Sequence, residues 1–307
     1  MVMKRISFLL LMISAVIAVE AQQMYVATYN IRYKNDGDAK NGDVWERRCK
    51  VIADQIIFED PDIFGTQEML IEQIRDFESL LPEYGHIGKA RDDGKEAGEH
   101  SAIFYHKDRV ELIENGDFWL SESPDIPSKG WDAACVRICT WGKFMDKRNG
   151  KDFFFFNLHM DHVGKVARRE AARLVVRKIE EIAGQQVNVI LTGDFNVDQN
   201  DEIYGIFIES GLLNDSYTVA RKRFAENGTF NAFNSELKTD SRIDHVFVSP
   251  QFNVERYGVL TNCYWTENKQ SKKKRKAFDA PQEIDFSQFT RRTPSDHYPV
   301  FVKLTWQ

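Results

Sequence analysis

Long apolar runs are scarce in these 307 residues, and that scarcity excludes most membrane architectures. The one long run, Ile6 to Val19, falls short of the ~20 apolar residues that a spanning helix needs. Lys4 and Arg5 precede it and the small residues of Val19-Glu20-Ala21 follow, which is the build of a cleavable secretory signal. No cysteine follows the run, so a lipid-modified N-terminus is not indicated. Residues 1–21 are therefore set aside as a signal peptide, and residues 22–307 as the folded domain. Secreted or periplasmic delivery, with no stable membrane association after cleavage, is the expectation. Cysteine is sparse too, at four residues. An even count in an exported chain permits disulfides. Cys135 and Cys139, however, fall in a stretch that reads as strand, where their offset is about 13 Å and too long to bridge. Mostly free, buried cysteines are expected. Proline numbers only eight, and no proline- or glycine-rich linker or internal repeat divides the chain, so one domain is expected. Basic charge is also in deficit: the formal net charge is −6. Non-specific coating of nucleic acid needs a basic face and is excluded by that balance, although a nuclease with a carboxylate-rich site is not.

Strand-like and helix-like periodicities alternate along the rest of the chain. Strands are expected at Met24 to Asn30, Ile63 to Gly65, Ser101 to His106, Arg109 to Ile113, Val136 to Met145, Asp152 to Leu158, Val187 to Leu191, Ile243 to Val248 and Val300 to Leu304. Helices are expected over Trp45 to Phe58, Met69 to Leu81, Lys165 to Ala183 and Ile203 to Ser210. The long helix is expected to bury Val166, Leu174, Val175, Ile179 and Ile182. Thr266 to Thr293 reads as irregular and carries the basic run Lys272 to Lys276, either a solvated loop or a substrate-facing one.

Polar residues of a particular kind gather where the apolar strands stop. Asn30 ends the first strand, and Thr66-Gln67-Glu68 follows the second. Asn157-Leu158-His159 closes a run of phenylalanines, Gly193-Asp194-Phe195-Asn196 follows an apolar strand, and Asp244-His245 opens another. Ser295-Asp296-His297 precedes the last. Ligands collect at strand ends because the scaffold holds side chains rigidly there. Carboxylate and carboxamide oxygens suit a hard divalent cation, and the lack of cysteine in the set argues against structural zinc. Imidazoles beside carboxylates move protons near neutral pH. A hard cation with oriented imidazoles is what attack of water on a phosphate ester requires.

The series TYNIR, TQE, GEHSAIFY, NLHMDH, GDFN, RIDHVFVS and PSDHYPV resembles the endonuclease/exonuclease/phosphatase superfamily, in family order from Asn30 to Pro299. The resemblance implies an α/β fold, a four-layer α/β/β/α sandwich of two mixed β-sheets flanked by helices. It implies that Glu68 holds a divalent cation, Mg²⁺ first and Mn²⁺ or Ca²⁺ next, with Asn30 and Asp296 close to the ion or to the phosphate. Asp194 is implied to align or deprotonate water, and Asn196 to bind a phosphate oxygen. His297 is implied to contact the phosphate, oriented by Asp244, and His159 to be the second histidine, with Glu99 as its carboxylate partner. Arg137 is a candidate substrate contact. His162 is expected at the rim, His245 to be structural, and Asp161 to support a turn.

The shared residues imply the reaction and leave the substrate open. The first expectation is a secreted metal-dependent phosphodiesterase acting on nucleic acid or a nucleotide-like fragment. The second is a phosphomonoesterase of small phosphorylated compounds or inositol phosphates, and the third a silent binding module. A monomer is expected. Trp119 and Trp141 are assigned to the core and Trp131 to the surface. No long exposed apolar hairpin suited to lipid is apparent.

Overall fold

The computed structural model describes residues 23–307 except 186, 269–278, 280, 282 and 285. The signal-like segment and the basic run Lys272 to Lys276 lie outside the described residues. Strands and helices are numbered in chain order. The first sheet has seven strands, in the order β10 (Lys222–Phe224), β12 (Phe252–Val259), β15 (Val300–Trp306), β1 (Gln23–Asn30), β2 (Ile63–Gln67), β4 (Ile103–His106) and β3 (Tyr84–Ile87). The second has six: β5 (Val110–Trp119), β6 (Ile138–Asp146), β7 (Lys151–His159), β8 (Val189–Asp194), β11 (Asp244–Val248) and β9 (Asn214–Asp215). Both are mixed: β1 runs parallel to β2 but antiparallel to β15, and β7 parallel to β8, which is antiparallel to β11.

Alternation along the strands decides which layer each side chain enters. Phe153 and Phe155 of β7 point between the sheets, joining Val26, Ile63, Ile190, Val246 and Val302. Phe156 and Leu158 face the other way, under α4 (Lys165–Ala183) and α5 (Glu202–Glu209). On the first sheet, Ala27, Tyr29, Phe64 and Phe104 are covered by α2 (Trp45–Glu59) and α3 (Ile71–Leu80). The result is the expected four-layer sandwich. Each fully buried phenylalanine contributes about 2–3 kcal/mol by leaving water. Two short helices, α1 (Asp36–Lys40) and α6 (Ser216–Val219), sit in the connections.

Several expectations need correction. Cys135 precedes β6 rather than lying in it, held in a loop by Asp161, and is only partly buried, as is Cys263. All four cysteines are free. Val166 is 44% exposed, because the buried stripe of α4 begins at Ala167 and continues through Ala171, leaving Val166 on the outer side. The stretch Thr266 to Thr293 is not wholly irregular: β13 (Tyr264–Glu267) pairs with β14 (Phe289–Arg292) as a separate ribbon. That ribbon exposes Trp265 and Phe289. Trp131 is half-buried and packs against the α4 side of the second sheet.

Between the sheets, below the ends of β1, β2, β7 and β8, a polar layer interrupts the apolar core. Gln67 donates to Asn157 (2.7 Å) and to Thr28 (3.0 Å), and Thr192 donates to Asn157 (3.0 Å). Gly65 makes room for it: a Cβ there would sit 2.2 Å from Asn157 Oδ1. This network ties both sheets together directly beneath the strand-end residues, although Gln67 Oε1 has no hydrogen-bond partner.

Candidate active site

Parallel pairing in each sheet brings the polar strand ends to one edge. Asn30 is paired with Gln67 across β1 and β2, and His159 with Asp194 across β7 and β8, while Asp244 lies opposite Asp194 from β11. Gly193 allows the close approach of β8 to β7, since a Cβ on it would meet Leu158 O at 2.3 Å. The ends converge on a cavity of about 440 Å³ lined by Glu68, Glu99, Arg137, His159, Asp194, Asn196, Asp296 and His297. Asn30 and Asp244 stand directly behind that lining and are fully buried. All ten expected site residues are thus brought together.

At the centre, Asn30 Nδ2 donates to Glu68 Oε1 and to Asp194 Oδ2, both at 3.0 Å. Its oxygen accepts from the Arg32 backbone N–H, so this amide links two carboxylates rather than presenting an oxygen to a cation. Asp194 Oδ2 lies 3.5 Å from His159 Nε2 and 3.7 Å from His297 Nε2. Burial pushes the Asp194 carboxyl up to about 7, with Asp244 adding to the rise and His297 opposing it.

The two histidines are opposites. Burial lowers the affinity of His159 for a proton, and Arg137 and Arg91 lower it further. Asn196 Nδ2 donates to its Nε2 at 3.2 Å, and its Nδ1, 3.8 Å from Glu99, has no hydrogen-bond partner. Burial also disfavours a charge on His297, but Asp244 and Asp194 outweigh it and raise its proton affinity. His297 Nδ1 donates to Asp244 Oδ2 at 2.8 Å. The surroundings disfavour the charged form of one ring and favour it in the other, on either side of one carboxylate.

Several lining residues were not expected. Arg32, Tyr33, Arg91, Cys135 and Phe230 share the cavity wall. Arg32 Nη1 lies 3.5 Å from Asp296 and 4.0 Å from Glu68, while its Nε donates to Asp38 at 2.9 Å. Arg91 donates to Glu99 at 2.6 Å, and Arg137 to His162 Nδ1 at 3.1 Å. Buried nitrogens of Arg91 (Nε) and Arg137 (Nε, Nη1) have no hydrogen-bond partner, a cost that a ligand would relieve. A positive φ at Arg32 (58°), Glu68 (66°) and Asn196 (50°) concentrates backbone strain at this site. His162 is at the rim, and His245 is a core residue bonded to Val197 O and packed on Phe195 and Phe247.

The residues fit a hard cation. Glu68, His159 and Asp194 each offer a ligand atom within 4.8 Å of the others. Across from them, Asp296 and Glu68 converge on one positive group, the Arg32 guanidinium. Asp161 holds no such place, because its carboxylate accepts four backbone N–H groups, from Ala134, Cys135, Val163 and Gly164.

Residues 27–297 match the endonuclease/exonuclease/phosphatase family. The chain belongs to that family. A crystal structure of a Bacteroides thetaiotaomicron member is 50% identical and superimposes with a TM-score of 0.86, covering 93% of this chain and 98% of that one. A mannosyl-6-phosphatase from Bacteroides thetaiotaomicron VPI-5482 is also 50% identical, over 92% of this chain and 100% of that one, with a TM-score of 0.85. The human Nocturnin catalytic domain shares the fold at 17% identity and a TM-score of 0.66, over 93% of this chain and 94% of that one. This member of the endonuclease/exonuclease/phosphatase family is a phosphoric ester hydrolase.

Proposed function

We propose that the protein is a secreted phosphomonoesterase acting on a phosphorylated sugar, the second of the two enzymatic expectations rather than the first. The observation that carries this reading is the cavity itself. At about 440 Å³ it has the size of a small-ligand pocket, and Arg32, Arg91 and Arg137 surround its catalytic end. Three guanidiniums in so small a space suit the two charges of a terminal phosphate. The 50% identity to a mannosyl-6-phosphatase supports the sugar. The net charge of −6 lends no support to a nucleic acid.

In this reading the phosphate lies between Asn196, His297 and the guanidiniums of Arg32 and Arg137. Asp194 orients the attacking water and accepts its proton. His297, cationic and fixed by Asp244, stabilises charge on the phosphoryl oxygens. The proton that the departing sugar oxygen takes up comes from His297, while neutral His159 accepts from Asn196 Nδ2 and orients that amide toward the phosphate. Glu68 and Asp296 would hold a divalent cation, Mg²⁺ by the hardness of the donors, with Asn30 fixing Glu68. That ion supplies Lewis-acid polarisation of the phosphate when bound. Residues 1–21 act as the export signal, and the mature protein works as a monomer free of the membrane.

A substrate panel tests the proposal: mannose 6-phosphate, p-nitrophenyl phosphate, bis-p-nitrophenyl phosphate and plasmid DNA, each with Mg²⁺ and with EDTA. Metal-dependent release of phosphate from the monoesters is expected, with the sugar phosphate preferred. Turnover confined to the diester and DNA would restore the phosphodiesterase reading.

A further inference from the structure

A second cavity, larger than that of the active site, lies toward the other end of β1. It measures about 810 Å³ and is lined by Gln23, Tyr25, Arg256, Gly258, Phe224 and Lys303, among others. Gln23 and Tyr25 begin β1, whereas Asn30 ends it, and seven residues of strand separate the two sites by roughly 23 Å. The cavity lies on the outer face of the first sheet, beyond the end of α2, over β15, β12 and β10.

Strand register builds the surface. Lys303 pairs with Arg256 across β15 and β12, and Arg256 with Lys222 across β12 and β10. Three cations therefore stand side by side on adjacent strands, an arrangement that is destabilising when nothing offsets it. Among the described residues none of the three has an ion-pair partner: the nearby Glu255 is held by Arg221. Of the three carboxylates in the cavity, two are already held in ion pairs. Asp60 and Asp62 are paired with Arg109 and Arg148, and Glu59 accepts from the Tyr25 hydroxyl at 2.7 Å. A lysine on an edge strand such as β10 guards against aggregation, but β12 and β15 are interior strands, so that explanation does not reach Arg256 and Lys303.

The next row of the register is apolar. Phe301 pairs with Gly258, and Gly258 with Phe224, whose ring is 66% exposed. Gly258 leaves a flat floor between the cation row and an aromatic wall. Its conformation does not require glycine: an added Cβ would meet nothing nearer than 3.5 Å, at Leu260. Anionic groups suit the cations, and the apolar face of a sugar ring suits the exposed phenyl.

We propose that this trough is an accessory binding site for a phosphorylated oligosaccharide, with phosphate on Arg256 and Lys303 and a sugar ring against Phe224 over Gly258. The choice of a sugar rests on the proposed function; the choice of an anion rests on the unpaired cation row alone. The trough holds its ligand without taking part in hydrolysis.

The test is calorimetric stoichiometry on full mature chains carrying Asp194→Asn to prevent turnover. The probes are a mannose oligosaccharide with one 6-phosphate, its dephosphorylated form, inorganic phosphate and a single-stranded oligonucleotide. Adding either Arg256→Glu with Lys303→Glu, or Gly258→Leu, is expected to remove one equivalent of phosphorylated oligosaccharide, weakening that site by about ten-fold or more. Inorganic phosphate is expected to lose its equivalent only with the charge reversals. Unchanged stoichiometry in both variants overturns the proposal, as does equal binding of the dephosphorylated sugar or preferential binding of the oligonucleotide at the trough. With Asp194 intact, the same substitutions should leave kcat/KM on p-nitrophenyl phosphate unaltered, and a parallel loss there would also overturn it. Failure of the wild-type protein to hydrolyse any monoester would refute the proposed function, while the stoichiometry still decides the trough.

Discussion

His159 and His297 flank Asp194 at 3.5 and 3.7 Å, yet their surroundings drive their proton affinities in opposite directions. The difference is local: His297 has the buried Asp244 at 2.8 Å, whereas the carboxylate nearest to His159 Nδ1 is Glu99 at 3.8 Å, itself engaged by Arg91. His297→Ala should therefore lower kcat by about 10²–10⁴-fold, in the range of a positioned acid–base or charge-stabilising group. Asp244→Asn should reproduce much of that loss, because it removes the charge that keeps the ring cationic. Steady-state kinetics with circular dichroism as a folding control decides the point, and near-normal turnover in His297→Ala would remove it from the chemistry. These residues were legible in the sequence because each follows or opens an apolar strand in a short recognisable string. Arg32 and Arg91 were not. An arginine in a turn looks like solvated surface, and nothing in the chain foretells that Arg32 takes a positive φ and aims at Asp296.

At the level of elements, loops are fixed to the sandwich by single buried carboxylates. Asp161 joins the segment before β6 to the entry of α4 through four backbone N–H donors. Burial raises its affinity for a proton, but those donors dominate and hold its carboxyl down at about 2. A depressed folded value means that the contribution to stability is present above the unfolded value of about 4. It is lost as pH falls toward 2. Asp161→Ala should cost about 3 kcal/mol at neutral pH, by leaving four donors without their acceptor. Thermal melts between pH 2 and 7 should show the difference from wild type shrinking as acid is added; a constant difference would contradict the assignment. Gly65→Ala makes a second test, forcing a Cβ to 2.2 Å from Asn157 Oδ1. It should destabilise by about 2–4 kcal/mol and weaken activity as well, since β2 leads directly into Glu68. The long helix was readable in full, as Lys165 to Ala183, because its apolar spacing is regular. β3, β9, β10, β12 and the β13–β14 ribbon were missed. Most are short and lie at sheet edges or outside the main sheets, as β10 with its three exposed residues shows, while β12 is long and interior but has its alternation broken by an irregularity between Val254 and Arg256.

For the whole molecule, the active site concentrates charge in a way that folding alone does not favour. Glu68, Asp194 and Asp296 are buried together, with Asp244 behind them, and among the described residues Arg32 and His297 are the cations within 4.0 Å of these carboxylates. A divalent cation that binds the folded chain and not the unfolded one stabilises it by mass action, about 2.7 kcal/mol at a hundred times its Kd. Mg²⁺ should therefore raise the Tm of the mature protein, and EDTA should reverse the rise, whether or not substrate is present. The charge-neutral pair Glu68→Gln with Asp296→Asn should behave differently in both respects. Without metal it should melt at or above the wild-type temperature, because repulsion among the carboxylates is relieved; with metal it should gain nothing. If wild type and the double variant respond equally to Mg²⁺, the ion binds elsewhere. The carboxylates would then serve only to hold Arg32 and Asn30 in place, and the hydrolytic reading would have to stand on Asp194, the two histidines and the arginines alone.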